Sequence, residues 1–168
     1  ISHMDLPAAL EETPVEKALF LWNINVAASN PDQKRLLAAL ESDDLFTVVA
    51  DLFMTDSARR ADIVLPAASF LEFDDLTYGY FHMLLGAQSK AMEPPGLALP
   101  NQEIFRRIAG ALGLNHSALF ESDESLIEAM LAQMKVDMTF AEFQTRGHIE
   151  LGDSPFIFFS DLRFETPS

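Results

Sequence analysis

The chain has 168 residues, 49% of them apolar, and a formal charge of 11 − 26 = −15. That length suits one domain able to bury roughly 70% of its unfolded surface, and the apolar fraction excludes wholesale disorder. The acidity argues against duplex nucleic acid or an anionic membrane as partner, but not against one bound nucleotide, because backbone N–H groups at a helix start hold phosphate without net positive charge.

Ile1-Ser2-His3-Met4 reads as the scar of a cleaved tag, and residues 5–16 as a mixed, polar linker. Residues 17–168 are expected to form one α/β domain. Ala18-Leu19-Phe20-Leu21-Trp22 is a short unbroken apolar run. Such runs suit strands buried on both faces of a parallel sheet. Asn30-Pro31-Asp32-Gln33 predicts a helix start with Asn30 as its cap, and Leu36, Leu37 and Leu40 supply the apolar stripe. Leu45–Ala50 is a second strand, ending at Asp51. Thr55 is placed to cap a short helix running through Arg59 and Arg60, and Ile63-Val64-Leu65 is a third strand closed by Pro66.

Residues 70–100 lack a clean period and are expected to be a long excursion, with one strand near Tyr80–Leu85. Asn101 is expected to cap a helix carrying Ile104, Phe105, Ile108 and Leu112, stopped by Gly113. A second late helix is expected over Ser125–Met134. Thr139 and Glu142 form a capping box for a third, and the tail from His148 is expected to be extended. No stretch approaches the ~20 apolar residues of a membrane helix.

Alternating strands and helices with short links predict an α/β fold: a Rossmann-like three-layer sandwich with a mostly parallel sheet, plus C-terminal helices. Ligands in such sheets bind beyond the carboxyl ends of the strands. That directs attention to Asn23–Asn25, Asp51–Thr55 and Pro66–Ser69 along one rim. A carboxylate at Asp51 could accept both adjacent donors of a guanine edge, N1–H and the 2-amino group, much as it accepts a guanidinium. The plain alternative is a solvated or capping Asp at a strand end. Thr55, Asp56 and Ser57 open a short helix whose N–H groups suit phosphate or ribose, or they simply cap it. Asn23 and Asn25 can contact a ligand, or close an Asx turn.

Other chemistry finds less support. The chain has no cysteine, so no disulfide, thiolate site or iron–sulfur ligand comes from it, which is compatible with a reducing, cytoplasmic setting. His82, His116 and His148 lack metal-ligand spacing. Glu72, Asp74 and Asp75 could work as paired carboxylates, but a solvated acidic loop fits a chain this negative better. No Gly-rich dinucleotide or triphosphate loop and no nucleophile elbow is present.

Taken together, the stretch Val48–Pro66, read as Val-Val-Ala-Asp-Leu-Phe-Met-Thr-Asp-Ser-Ala-Arg-Arg-Ala-Asp-Ile-Val-Leu-Pro, closely resembles a signature of the molybdopterin oxidoreductase family. Its flanks agree. Phe70-Leu71-Glu72, the Pro-rich turn Met92–Gly96, the helix Asn101–Leu114 and the closing Phe164–Ser168 are similar to segments of that family. The resemblance implies a Rossmann-like part of a discontinuous domain that holds one molybdopterin guanine dinucleotide, in parent enzymes that carry molybdenum or tungsten. It implies contacts from Asp51 and Thr55 to the guanosine end, with Asn23–Asn25 lining the same groove. Val26 departs from the family, which usually has Pro after this Asn. The resemblance also implies that the residue coordinating the metal lies outside this chain. The remaining domains of the parent would be the partners, and an isolated piece is expected to be inactive and without cofactor. Such a piece could also dimerise through uncovered surface without biological meaning. Two other readings stay open: a stand-alone α/β interaction module, or a receiver-like phosphoacceptor domain. The phosphoacceptor would need an acidic pair where Asn23 and Asn25 stand.

Overall fold

A computed structural model describes residues 3–12, 16–152, 157, 159–164 and 166. The polypeptide expected to be one domain divides into two compact units, Ile1–Glu72 with Met92–Phe120, and Phe73–Ala91 with Glu121–Ser168. The division arises because 73–91 pairs with a late strand rather than with the parallel sheet.

The first unit is a three-stranded parallel sheet between helices. β1 (Lys17–Trp22), β2 (Leu45–Asp51) and β3 (Ile63–Pro66) lie in that order, and Phe20 pairs with Val48, which pairs with Ile63. The expected α/β class and all three parallel strands are present. Side chains alternate across the pleat, so Leu19, Leu21, Leu45 and Val49 share one face. That face is covered by α1 (Leu6–Glu12) and α3 (Gln33–Leu40), through Leu10, Leu36 and Leu40. On the opposite face, α4 (Asn101–Ala111) packs Ile104 and Ile108 against Ala50 and Leu65.

Three details correct the expectations for this unit. Residues 6–12 form α1 rather than a linker, because Leu10 has a core to enter and Lys17 Nζ donates to the Leu10 carbonyl at 2.5 Å. Asn30 does not cap α3. It ends a one-turn helix, α2 (Val26–Ser29), and its buried side chain donates to the His3 carbonyl at 2.7 Å, while Asp32 precedes α3. Asn101 is the first residue of α4, preceded by Pro100, rather than its cap. Gly113 does stop that helix, at φ +67°, a left-handed conformation glycine adopts without steric cost.

The second unit is built on β4 (Asp75–Tyr78), β5 (Leu84–Gln88) and β6 (His148–Glu150), an antiparallel sheet in that order. The single strand expected near Tyr80–Leu85 is therefore two strands, with Tyr80 in the turn between them. α5 (Asp123–Gln133) begins two residues earlier than expected and is capped by Ser122, whose hydroxyl accepts from the Ser125 N–H at 3.1 Å. α6 (Phe140–Arg146) carries the expected capping box between Thr139 and Glu142. Leu85, Ile127, Leu131, Phe140, Phe143 and Ile149 make its core. The tail expected to be extended begins with β6; Glu165, Pro167 and Ser168 of the closing motif lie outside the described residues. Among the described residues, no helix is long and apolar enough to cross a membrane.

Candidate functional site

The parallel register puts the carboxyl ends of β1, β2 and β3 at one edge, as Trp22 pairs with Ala50 and Asp51 with Pro66. The three loops singled out from the sequence therefore leave the sheet side by side. Each is tied to a neighbour. The Asn23 N–H donates to the Ala50 carbonyl at 3.1 Å, extending the β1–β2 ladder by one rung, and Asn23 sits at φ +53°. The Ala67 N–H donates to the Asp51 carbonyl at 3.1 Å, and the Leu99 N–H to the Pro66 carbonyl at the same distance.

Asp51 is half-buried and organises the turn that follows it. Its Oδ1 accepts from the Leu52 N–H at 2.7 Å and the Phe53 N–H at 3.3 Å, and its Oδ2 from the Thr55 hydroxyl at 3.3 Å. This turn-closing role is distinct from the solvated or capping Asp considered from the sequence. A carboxylate has about four acceptor positions, so Oδ2, with one long bond, keeps capacity for a ligand donor. Thr55 was expected to cap the following helix; the residue at the cap of the 3₁₀ turn Ala58–Arg60 is Ser57, and Thr55 braces the turn from outside, its Oγ1 accepting from the Ala58 N–H at 3.3 Å. Leu52, Phe53 and Met54 form an exposed apolar lip on the same turn, with Phe53 at 72% exposure.

Ser57 and Asp62 matter more than their sequence positions suggested. Ser57 is 1% exposed. Its hydroxyl donates to Asn25 Oδ1 at 2.8 Å and accepts from the Ala27 N–H at 3.0 Å, while its N–H donates to the same Asn25 oxygen at 3.2 Å. The first and second rim loops are latched by this pair. Asn25 spends its carbonyl oxygen there, leaving the amide NH₂ as the group it can offer. Asp62 clamps β2, since its Oδ2 accepts from the Thr47 N–H at 2.7 Å and its own N–H donates back to the Thr47 carbonyl at 2.9 Å. Both lie inside the Val48–Pro66 motif, but nothing local to the motif announces their partners.

At the start of α4, directly after the strand-like bridge of Ala67 with Leu99, the side-chain oxygens of Asn101 and Gln102 are buried without a hydrogen-bond partner. The other candidates do not assemble. Glu72 Oε2 accepts from the Ser69 N–H at 2.9 Å and Asp75 Oδ1 from the Leu76 N–H at 2.8 Å, each within its own turn, while Asp74 Oδ1 ties distant segments by accepting from the Lys90 N–H at 2.8 Å and the Gln144 amide at 3.0 Å. His82 and His148 line one open depression of about 350 Å³ on the antiparallel sheet, but no group of three metal-binding side chains exists among the described residues.

Comparison with known proteins adds the following. A family model described as molybdopterin oxidoreductase matches residues 5–111. YoaE of Bacillus subtilis, named as an oxidoreductase, is 40% identical over 73% of this chain and 18% of its own length. The F420-dependent formate dehydrogenase subunit alpha of Methanocaldococcus jannaschii is 37% identical over 67% of this chain and 16% of its own. This chain therefore spans less than a fifth of the length of these two relatives. Acetylene hydratase from Pelobacter acetylenicus shares the fold, with a TM-score of 0.71 and 23% identity over 94% of this chain and 21% of that one.

Proposed function

The chain belongs to the molybdopterin oxidoreductase family, and from that membership we propose that it is the module of a larger oxidoreductase that grips the guanosine end of one pterin–guanine dinucleotide. The observation that carries the reading is the shared edge: Asn23, Asn25, Asp51 and Thr55 all leave the sheet at the carboxyl ends of parallel strands, where α/β sheets take their ligands.

The rim fits such a group. Oδ2 of Asp51 has spare acceptor capacity, and the orphaned amide oxygens of Asn101 and Gln102 adjoin the third rim loop. Unsatisfied buried polar atoms of this kind call for a partner. In this reading Asp51 accepts from the guanine edge, and the Thr55 hydroxyl serves ribose or phosphate. The amides of Asn23 and Asn25 line the groove, and exposed Phe53 offers an apolar surface beside the base. When bound, the cofactor supplies the molybdenum or tungsten centre where oxidation and reduction occur. The work of these residues is to bind and orient. The residue that coordinates the metal is supplied by the rest of the parent enzyme, whose setting is cytoplasmic.

The test is cofactor retention in the parent-length enzyme, read as guanosine monophosphate released by acid hydrolysis and as bound metal by mass spectrometry. Hydrogen bonds to a charged group contribute about 1.5–3 kcal/mol, so Asp51→Ala should lower retention by roughly tenfold or more. Full retention by Asp51→Ala would remove the guanine assignment.

A further inference from the structure

The parallel sheet has one face only partly covered. Ala18, Phe20 and Trp22 of β1, Phe46, Val48 and Ala50 of β2, and Ile63 and Leu65 of β3 point to it, by the register and the pleat. α4 covers the Ala50 and Leu65 end, and its Phe105 ring packs on Phe20 and edge-on to Trp22 at centroid distances of 5.7 and 5.2 Å. Coverage is still partial: Phe20 and Trp22 beside Phe105, and Phe46 and Ile63 beyond it, are 40–50% exposed. These residues carry no charge, in a chain of net charge −15.

Parallel strands read as unbroken apolar runs because helices cover both their faces. Here α1 and α3 supply one layer, while the other holds α4 alone. The opposite face of the same three strands takes two helices, α1 and α3, so a second helix on the α4 side would match it. We propose that this face seats an apolar helical segment contributed by the part of the parent polypeptide outside this chain. Two observations select that occupant. The matched relatives are more than five times longer than the segment they share with this chain, so ample further polypeptide exists in them. A second copy would instead bring two bodies of charge −15 together across a patch with no countercharge. Packing on this face is separate from the guanosine site, and its readout needs no cofactor.

The chain lacks cysteine, so a single introduced thiol can be followed without ambiguity. The rate at which Phe46→Cys reacts with a maleimide is measured in the 168-residue chain at several concentrations. It is measured again in the parent-length enzyme by peptide mass spectrometry. The expected result is fast, concentration-independent labelling in the short chain, and labelling slowed at least about tenfold in the parent, where it must await local opening. Equal rates in the two would overturn the proposal. So would slow labelling of the short chain: if it slows with concentration, the occupant is a second copy, and if it is slow throughout, the face is already covered. Ile63→Cys repeats the comparison should Phe46→Cys fail to fold. Acrylamide quenching of Trp22, the sole tryptophan, checks exposure in the unsubstituted chain.

Discussion

Ser57→Ala is the sharpest test of how the rim is held. The substitution removes one hydroxyl that makes two bonds in a site 1% exposed. Asn25 Oδ1 keeps the Ser57 N–H at 3.2 Å and is not orphaned, so losing the hydroxyl there costs about 1 kcal/mol. The Ala27 N–H is different. Ala27 is buried and this N–H lies at the start of a one-turn helix, so it loses its acceptor with no water to replace it, at a cost of about 1–3 kcal/mol. The expected total is roughly 2–4 kcal/mol. For a unit near 100 residues, each kcal/mol lowers Tm by about 4–8 °C, so a fall of about 10 °C or more is expected. Trp22 lies on β1 of the same unit and reports its unfolding by fluorescence in urea. The control is Ser29→Ala, which removes an exposed hydroxyl bonded to the Asn25 carbonyl and should stay within about 0.5 kcal/mol. If Ser57→Ala matches the control, the latch between the two loops does not hold the rim and the reasoning fails.

Two further outcomes are expected in the second unit. Phe143 is fully buried, so Phe143→Ala should cost about 3–5 kcal/mol. Amide exchange at Leu85 should then accelerate by roughly a hundredfold or more, and an unchanged rate would refute its place at the centre of that core. The Glu142 carboxyl is held below its ordinary value, chiefly by the Thr139 backbone N–H and then by the Thr139 hydroxyl. A lowered folded value means the contribution is present above about pH 4.3 and is lost as pH falls through the folded value. The start of α6 should therefore fray on acidification below that range, and Glu142→Gln should flatten the dependence. An NMR titration with a Glu142 midpoint at or above the ordinary carboxylate value would contradict the capping box.

The three parallel strands were legible in the sequence, because short apolar runs at 18–22 and 63–65, and at 45–50 with Thr47 as the one polar residue, carry apolar side chains on both faces, as strands of parallel sheets do. It determined the capping box of α6, where four residues suffice, and it placed Asp51 at a strand end on the rim. It did not determine what its polar residues would bond. Asn30 looked like a helix cap and became a buried tie to His3, and Ser57 looked like helix-opening chemistry and became the latch to Asn25. Short strands with one buried residue or none, such as β4 and β5, carry too little pattern to declare themselves, and β6, which completes their sheet, lies about sixty residues further on. Most of all, apolar strands state that both faces want cover, but which face receives it is settled by the long-range packing of the helices. Helices α1 and α3 fill one side, α4 reaches only part of the other, and Phe20, Trp22, Phe46 and Ile63 stay exposed. Local propensity and periodicity act over a few residues, whereas pairing, latching and coverage depend on groups tens of residues apart.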